Sequence, residues 1–381
     1  MKIIYIIKSL EKGGAERFIL NLCKELNKRE NIEYKLLILQ DGNEYVHLSS
    51  EVNYQRLDGP YVPSIFSTNY VNVQQYKDIV DAFKPDIIST HLFRSEIFST
   101  IYLVPDAVYV THGHDNMVEF ENFSFSTLFN KRKLTNFYEK LLLIRNKYQK
   151  INKMYYLPNS ENTFNYYKRT VPKKFRSNIK LFEPGFHFST FYKSLSPKNV
   201  LLNGKIKILN VGSFVEKKNQ AFIIEIAKEL KTKNVDFEIN LLGDGPNKEK
   251  VQQKIVDFGL DREILIRGKV NNVENYLWES DIYLHTAFYE PFGQVLLEAM
   301  AAGLPCIVLD GKGNRKLIKN NENGYLFYNQ DAEAFVEKII EYTSNKENYF
   351  KLSLNAQSFA KQFDISNKTD ELIAFYEKIT K

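Results

Sequence analysis

The stretch that decides the fold is His285-Thr-Ala-Phe-Tyr-Glu290-Pro-Phe-Gly293-Gln-Val-Leu-Leu-Glu298-Ala-Met-Ala-Ala-Gly303-Leu-Pro305. It begins where an apolar run, Ile282 to His285, ends, and it turns tightly through Pro291 and Gly293. From about Gln294 it reads as a helix that carries the chain back to a second apolar run, Cys306 to Leu309. A strand, a helix and a further strand in that order imply a parallel α/β sheet. Free amides at the start of such a helix, with the positive end of its dipole, suit a phosphate or a cluster of hydroxyls. Glu290 and Glu298 would stand about 80° apart around the axis if both were helical, so both could face one elongated ligand. Carboxylates accept hydrogen bonds from sugar hydroxyls.

The same alternation extends in both directions. Upstream in this half, Ile206 to Val211, Phe237 to Leu242 and Ile264 to Ile266 read as strands, with a helix over Gln220 to Leu230. In the first half, Lys2 to Ile7 is a compact run with β-branched residues and reads as a buried parallel strand. Ala15, Phe18, Ile19, Leu22, Cys23 and Leu26 then form a one-sided helical stripe. Tyr34 to Leu39, Asp86 to Ser89 and Val108 to Thr111 read as further strands. Two Rossmann-like halves are the simplest account: residues 1–188 and 205–359, joined where Pro, Gly, Ser and Asn accumulate, with a terminal helix over 360–381 returning to the first half. Ligands of such sheets bind beyond the carboxyl ends of the strands, which places the expected site in the cleft between the halves.

Length and composition agree with this reading. A chain of 381 residues exceeds what one core usually serves, and 44% apolar with 26% charged residues is ordinary for a globular protein. Cys23 and Cys306 both lie in apolar runs, which suggests buried thiols and a cytoplasmic setting. No apolar run approaches the roughly 18 to 20 residues a membrane span needs. The net charge of +6 is unevenly placed. From Lys131 to Lys180 there are fourteen basic residues against Glu139 and Glu161, giving +12 there and −6 elsewhere. That segment reads either as a solvated basic face or as a surface for anionic lipid on the inner face of a membrane. No nucleic-acid recognition motif accompanies it, so nucleic acid is not an expected partner.

The string from Glu290 to Pro305 resembles family 4 of the retaining glycosyltransferases, which have the two-domain GT-B fold. The likeness rests on Glu290, Phe292, Gly293, Glu298, Ala299, Ala301, Gly303 and Pro305. It implies Glu290 beside the donor sugar, backbone amides of Phe292, Gly293, Gln294, Val295 and Leu296 on sugar and diphosphate, and Glu298 on the ribose hydroxyls. Val211-Gly212-Ser213, with Lys218 following, resembles the family's strand-end motif for the donor diphosphate, with Ser213 where the family has arginine. Lys217, Arg267 and Arg315 are candidates to replace that charge. Val270 lies where relatives contact the base through main chain. Gly14, in the Gly13-Gly14-Ala15-Glu16-Arg17 loop, and His112, after a strand, match positions close to the donor. His91, Arg94 and Glu16 are the acceptor candidates. Gly243-Asp244-Gly245-Pro246 reads as a structural turn, and the loop from Gly311 to Phe327 has no assigned role.

The function that the resemblance implies is retaining, metal-independent transfer of a hexose or N-acetylhexosamine. The donor would be a nucleoside-diphosphate sugar, a UDP-sugar before a GDP-sugar, acting as co-substrate, with no cofactor. The acceptor would be a glycan or a lipid-linked glycan, in cell-surface polysaccharide assembly. Lys218, Glu290 and His112 would carry the chemistry. The alternatives are a non-catalytic nucleotide-sugar-binding subunit and an epimerase or phosphorylase on the same fold.

Overall fold

The structure, a computed structural model, describes residues 1–381 except 12, 59–70, 117–130, 149 and 196–203. Part of the joining segment between the halves therefore lies outside the described residues, as do the side chains of Lys131 and Arg132 in the basic segment. The chain divides into two compact units, Met1–Gly185 with Ile365–Lys381, and Phe186–Asp364.

In the first unit, β1 (Lys2–Ile7), β2 (Glu33–Ile38), β3 (Tyr54–Arg56), β4 (Ile87–His91), β5 (Val108–Gly113) and β6 (Met154–Pro158) form one parallel sheet in the order β3-β2-β1-β4-β5-β6. Successive side chains of a strand point to opposite faces. Along β1, Ile3, Tyr5 and Ile7 accordingly enter one core while Ile4 and Ile6 enter the other. This two-sided burial is why β1 reads as an unbroken apolar run. The helix Gly14–Leu26 covers the first of these faces with all six stripe residues buried, together with Leu372, Phe375 and Tyr376 of the last helix, Ile365–Thr380.

The second unit repeats the plan. Its strands β7 (Ile206–Val211), β8 (Phe237–Leu242), β9 (Ile264–Gly268), β10 (Ile282–His285), β11 (Cys306–Leu309) and β12 (Gly324–Phe327) are ordered β12-β11-β10-β7-β8-β9, again all parallel. Ile282, Leu284, Ile307 and Leu309 face one core, and Tyr283, Cys306 and Val308 the other. The helix Gln294–Ala301 packs on the second core beside Ala356 and Ala360 of the helix Lys346–Lys361. In each unit the strand order reverses once, between β1 and β4 and between β7 and β10. Such a reversal opens a crevice at the carboxyl ends of those strands.

Two expectations need correction. The strands β3, β6 and β12 are absent from the sequence reading, and all three are edge strands. An edge strand pairs on one side only and needs no long apolar run to hold it. The helix expected over 360–381 is two helices, the first ending at Lys361 and the second beginning at Ile365. Between them Phe363 accepts a hydrogen bond from the Phe186 amide at 3.0 Å.

Candidate functional site

At the reversal point of the second unit, β7 and β10 end side by side and their following loops are joined. Thr286 Oγ1 donates to the Lys218 carbonyl (3.2 Å), Asn219 Nδ2 donates to the Thr286 carbonyl (3.2 Å), and the Phe288 amide donates to the Lys217 carbonyl (3.1 Å). Asn219 adopts a left-handed conformation, with φ of 54°, which ends the short turn Glu216–Lys218 and starts the helix Gln220–Thr232. This wiring delivers the Lys218 ammonium onto the Glu290 carboxylate, with which it pairs directly. His285, the last residue of β10, places Nε2 3.2 Å from the same carboxylate oxygen.

Glu290 is only 7% exposed. Burial alone would raise its pKa, but the Lys218 ammonium and the His285 imidazole reverse this and hold the carboxyl well below the usual range. Burial lowers the pKa of His285, and Glu290 only partly opposes it. The arrangement is thus a buried carboxylate with one ammonium and one imidazole on it.

Glu290 is not helical, so the 80° relation to Glu298 does not apply. The helix starts at Gln294, and its capping position is Gly293 with φ of 100° and ψ of 45°. That left-handed conformation is one glycine adopts at little cost. Glu290 is instead held by its backbone: its amide donates to the Gly311 carbonyl (2.8 Å), and its carbonyl accepts from the Gly313 amide (3.0 Å). A Cβ on Gly313 would collide with the carbonyl oxygens of Glu290 and Pro291. Asn314, fully buried, fastens the bracket through Gly311 (2.9 Å) and Leu309 (3.2 Å). The loop left without a role by the sequence is therefore what sets the position of Glu290.

The other donor-side candidates are placed as follows. Glu298 is buried within the helix, and Phe292 is buried in the core against Phe363. The Leu296 amide already donates to the Gly293 carbonyl (2.9 Å). Gln294 and Val295 form the first turn, and Gln294 Nε2 is enclosed without a hydrogen-bond partner among the described residues. Val270 packs beside the second core just after β9. Ser213 is exposed, and its carbonyl accepts from Gln220 Nε2 (3.0 Å). Arg315 makes a two-point pair with Asp310 (2.6 and 2.8 Å), Arg267 bonds Asn240 (2.7 Å), and Lys217 lies over the Tyr289 ring. Each of the three cations considered as a replacement for the missing arginine is thus engaged elsewhere.

In the first unit, Gly14 is the exposed first residue of its helix, while Glu16 is buried and folds against Gly13. Burial raises the Glu16 pKa. His91, the last residue of β4, and His112, the last but one of β5, stack at 4.3 Å with 12° between planes, and His114 stacks on His91 at 5.1 Å. His91 Nδ1 is 2.9 Å from His114 Nε2, and His112 Nε2 is 3.1 Å from the Tyr376 hydroxyl. Burial drives all three pKa values down, that of His114 to about 4, so all are neutral at pH 7. Arg94 is exposed, 3.9 Å from Glu139. The residues brought together are Glu290 and Lys218 in one unit and His91 and His112 in the other. His285 and Asn314 were given no role by the sequence; the position of His285 as the last residue of an apolar run was the one available signal.

Residues 192–359 match the family model of glycosyl transferases group 1. The chain is 28% identical to the N-acetyl-alpha-D-glucosaminyl L-malate synthase of Bacillus anthracis over 173 residues, 45% of this chain and 44% of that one. It is 27% identical to the UDP-Gal:alpha-D-GlcNAc-diphosphoundecaprenol alpha-1,3-galactosyltransferase of Escherichia coli over 169 residues, 44% of each. The chain thus spans less than half the length of these two curated relatives. Among solved structures it is similar to HepE of Anabaena in complex with UDP and glucose, with a TM-score of 0.78 at 19% identity over 99% of this chain and 100% of that one. The chain has the GT-B type of fold, two Rossmann-like units of parallel sheet. No described helix is long and apolar enough to cross a membrane.

Proposed function

We propose that this protein is a retaining glycosyltransferase that moves a hexose or N-acetylhexosamine from a UDP-sugar to a glycan or lipid-linked acceptor in cell-surface polysaccharide assembly. The observation that carries this reading is the Lys218–Glu290–His285 group at the reversal point of the second sheet, beside a helix opened by left-handed Gly293. The nucleotide sugar named for the Escherichia coli relative, and the UDP and glucose bound by HepE, support the donor class.

The chemical demand is to stabilise the diphosphate as it leaves with the glycosidic electron pair. Lys218 and the first-turn amides of Gln294 and Val295 would meet it without a metal ion. The donor diphosphate would draw the Lys218 ammonium away from Glu290, freeing the carboxylate to accept hydrogen bonds from the sugar hydroxyls. His285 would hold the carboxylate in place, Glu298 would take the ribose, and main chain at Val270 the base. In a front-face mechanism the leaving oxygen accepts the acceptor's proton, and the new bond forms on the face the diphosphate leaves. His112 and Gly14 would assist from the donor side. Of the acceptor candidates Arg94 is exposed, whereas His91 and Glu16 are enclosed.

The test is a thermal-shift screen against uridine, guanosine and adenosine diphosphate sugars, followed by incubation of the stabilising donor with candidate acceptors. Nucleoside diphosphate released only with acceptor, and unchanged by a chelator, is the expected result. Binding without turnover across all acceptors would favour a non-catalytic subunit, and loss of activity on chelation would overturn the metal-free mechanism.

A further inference from the structure

Two side chains share one oxygen of the Glu290 carboxylate. Lys218 Nζ pairs with Oε2, and His285 Nε2 stands 3.2 Å from the same atom. Their exposure differs, the Lys218 side chain being 18% accessible and that of His285 1%. A ligand arriving at the end of β7 can therefore take the lysine but has to leave the histidine. With Nε2 turned to the carboxylate, His285 Nδ1 is enclosed and has no hydrogen-bond partner among the described residues. No fixed N–H occupies its lone pair, so Nδ1 is where the imidazole can take a second proton.

Burial lowers the His285 pKa most, Glu290 raises it, and the Lys218 ammonium lowers it further. The other buried ionisable groups on the elements packed against it are Tyr283 of β10, whose ring stacks at 6.2 Å, Cys306 of β11 and Glu298 of the helix Gln294–Ala301. Tyr283 and Cys306 stay neutral, because burial raises both pKa values. Without ligand, one ammonium balances one carboxylate. A nucleoside-diphosphate sugar adds two negative charges, while Lys217, Arg267 and Arg315 are engaged with Tyr289, Asn240 and Asp310. Drawing Lys218 to the diphosphate thus leaves a buried carboxylate beside a neutral imidazole, a costly state that one proton relieves.

We propose that the nucleotide-sugar donor binds together with a proton, which His285 takes up at Nδ1 as the diphosphate draws Lys218 off Glu290. The proposal rests on the reading of Lys218 as the diphosphate contact. The proton comes from solvent and forms one N–H bond; no bond of the protein or the donor breaks. An ion pair of Glu290 with Lys218 becomes an ion pair of Glu290 with His285, so the carboxylate stays charged and fixed for the sugar hydroxyls. His285 is thereby a positioning residue that acts through Glu290.

Calorimetry of the full chain with UDP-glucose, in buffers of different ionisation enthalpy, counts the protons. Uptake of about half to one proton per UDP-glucose is expected at pH 7, with Kd rising by up to about tenfold per pH unit from about pH 6 to 8. The diphosphate of UDP-glucose is fully ionised throughout that range, so the proton belongs to the protein. His285→Gln retains an N–H for Glu290 but has no proton site, and should lose both the uptake and the slope. Histidine NMR gives a check without donor, with the His285 signal assigned by its loss in that variant. In Lys218→Met the His285 imidazole should titrate about one pH unit or more higher than in wild type.

UDP-glucose binding without uptake, or with equal uptake in His285→Gln, would overturn the proposal and leave the donor reading standing. An unmoved His285 titration in Lys218→Met would overturn it whatever the donor. Absence of binding by uridine, guanosine and adenosine diphosphate sugars alike would remove the donor reading, and the proposal with it, even where the NMR shift is found.

Discussion

At the scale of single residues, Glu290 and Lys218 do together what neither does alone. A buried carboxylate is costly unless paired, and the pair is held ready by loops that a ligand need not build. Glu290→Gln and Lys218→Met should each lower kcat/KM by about 100-fold, the scale of losing one preorganised electrostatic contact. The double variant should fall well short of the product of the two, because the residues act as a unit; steady-state kinetics of all three proteins tests this. A fully multiplicative loss would mean that they act separately. Both residues were singled out in the sequence, Glu290 in the string to Pro305 and Lys218 after Val211-Gly212-Ser213, and their pairing is what the structure adds. His285 was not, because a lone histidine at a strand end has no signature until the carboxylate it touches is known.

The histidines also fix a direction for pH dependence. His91, His112 and His114 have folded pKa values below the unfolded value near 6.5. Below that value the unfolded chain binds protons that the folded stack does not, so their contribution is full above pH 6.5 and is lost as pH falls, for His114 as pH approaches about 4. For His114 the slope is roughly 1.4 kcal/mol per pH unit between those two values. Melting temperature should therefore drop between pH 7 and pH 5, and His114→Gln should flatten the drop. An unchanged slope in that variant would count against the stack as its source.

At the scale of elements, the loop after β11 shows how backbone controls a side chain. Gly311 and Gly313 exchange hydrogen bonds with Glu290 on both sides, and Gly313 has no room for a methyl group. Gly313→Ala should destabilise the protein by about 2 kcal/mol, in the range of overpacking, as read from urea midpoints. It should also reduce the proposed transfer by shifting Glu290, since a displacement of about 1 Å suffices to cost activity. A variant that loses stability but retains full turnover would separate the bracket from function. Tyr376→Phe is the corresponding probe of the last helix. Its hydroxyl is the partner of both Ser89 Oγ (3.1 Å) and His112 Nε2 (3.1 Å), and removing it leaves these buried groups unpaired at a cost of about 1 to 3 kcal/mol. The strands missed by the sequence reading belong to this scale too: β3, β6 and β12 are held by one neighbour each, and their short, mixed sequences say little on their own.

At the scale of the molecule, the chain leaves the first unit after Gly185 and re-enters it at Ile365. The returning helix buries Ile365, Leu372, Phe375 and Tyr376 in the core of the first unit, and Arg29 pairs with Asp370 at 2.7 Å. Burial of each such side chain contributes about 1.5 to 3 kcal/mol. Deleting residues 365–381 should thus remove most of the margin of the first unit while sparing the second. Calorimetry should show the transition of one unit lost or shifted far down and the other nearly unchanged. Equal loss in both would mean that the units fold as one.

The sequence by itself determined the α/β class, the doubling of the sheet, the central strands and the position of Glu290 and Lys218, because these depend on local periodicity and on residues close in the chain. β1 and β10 are buried on both faces, and such strands leave an unmistakable apolar run. Only the tertiary structure decided what those residues meet. The Glu290 carboxylate is defined by Lys218, 72 positions away, by the end of β10 and by a loop after β11. The histidines of the first unit are defined by a tyrosine 264 positions distant from His112. Charge state, burial and hydrogen-bond partners arise from contacts that a linear pattern does not encode, and they are what turn a glutamate, a lysine and a histidine into a site.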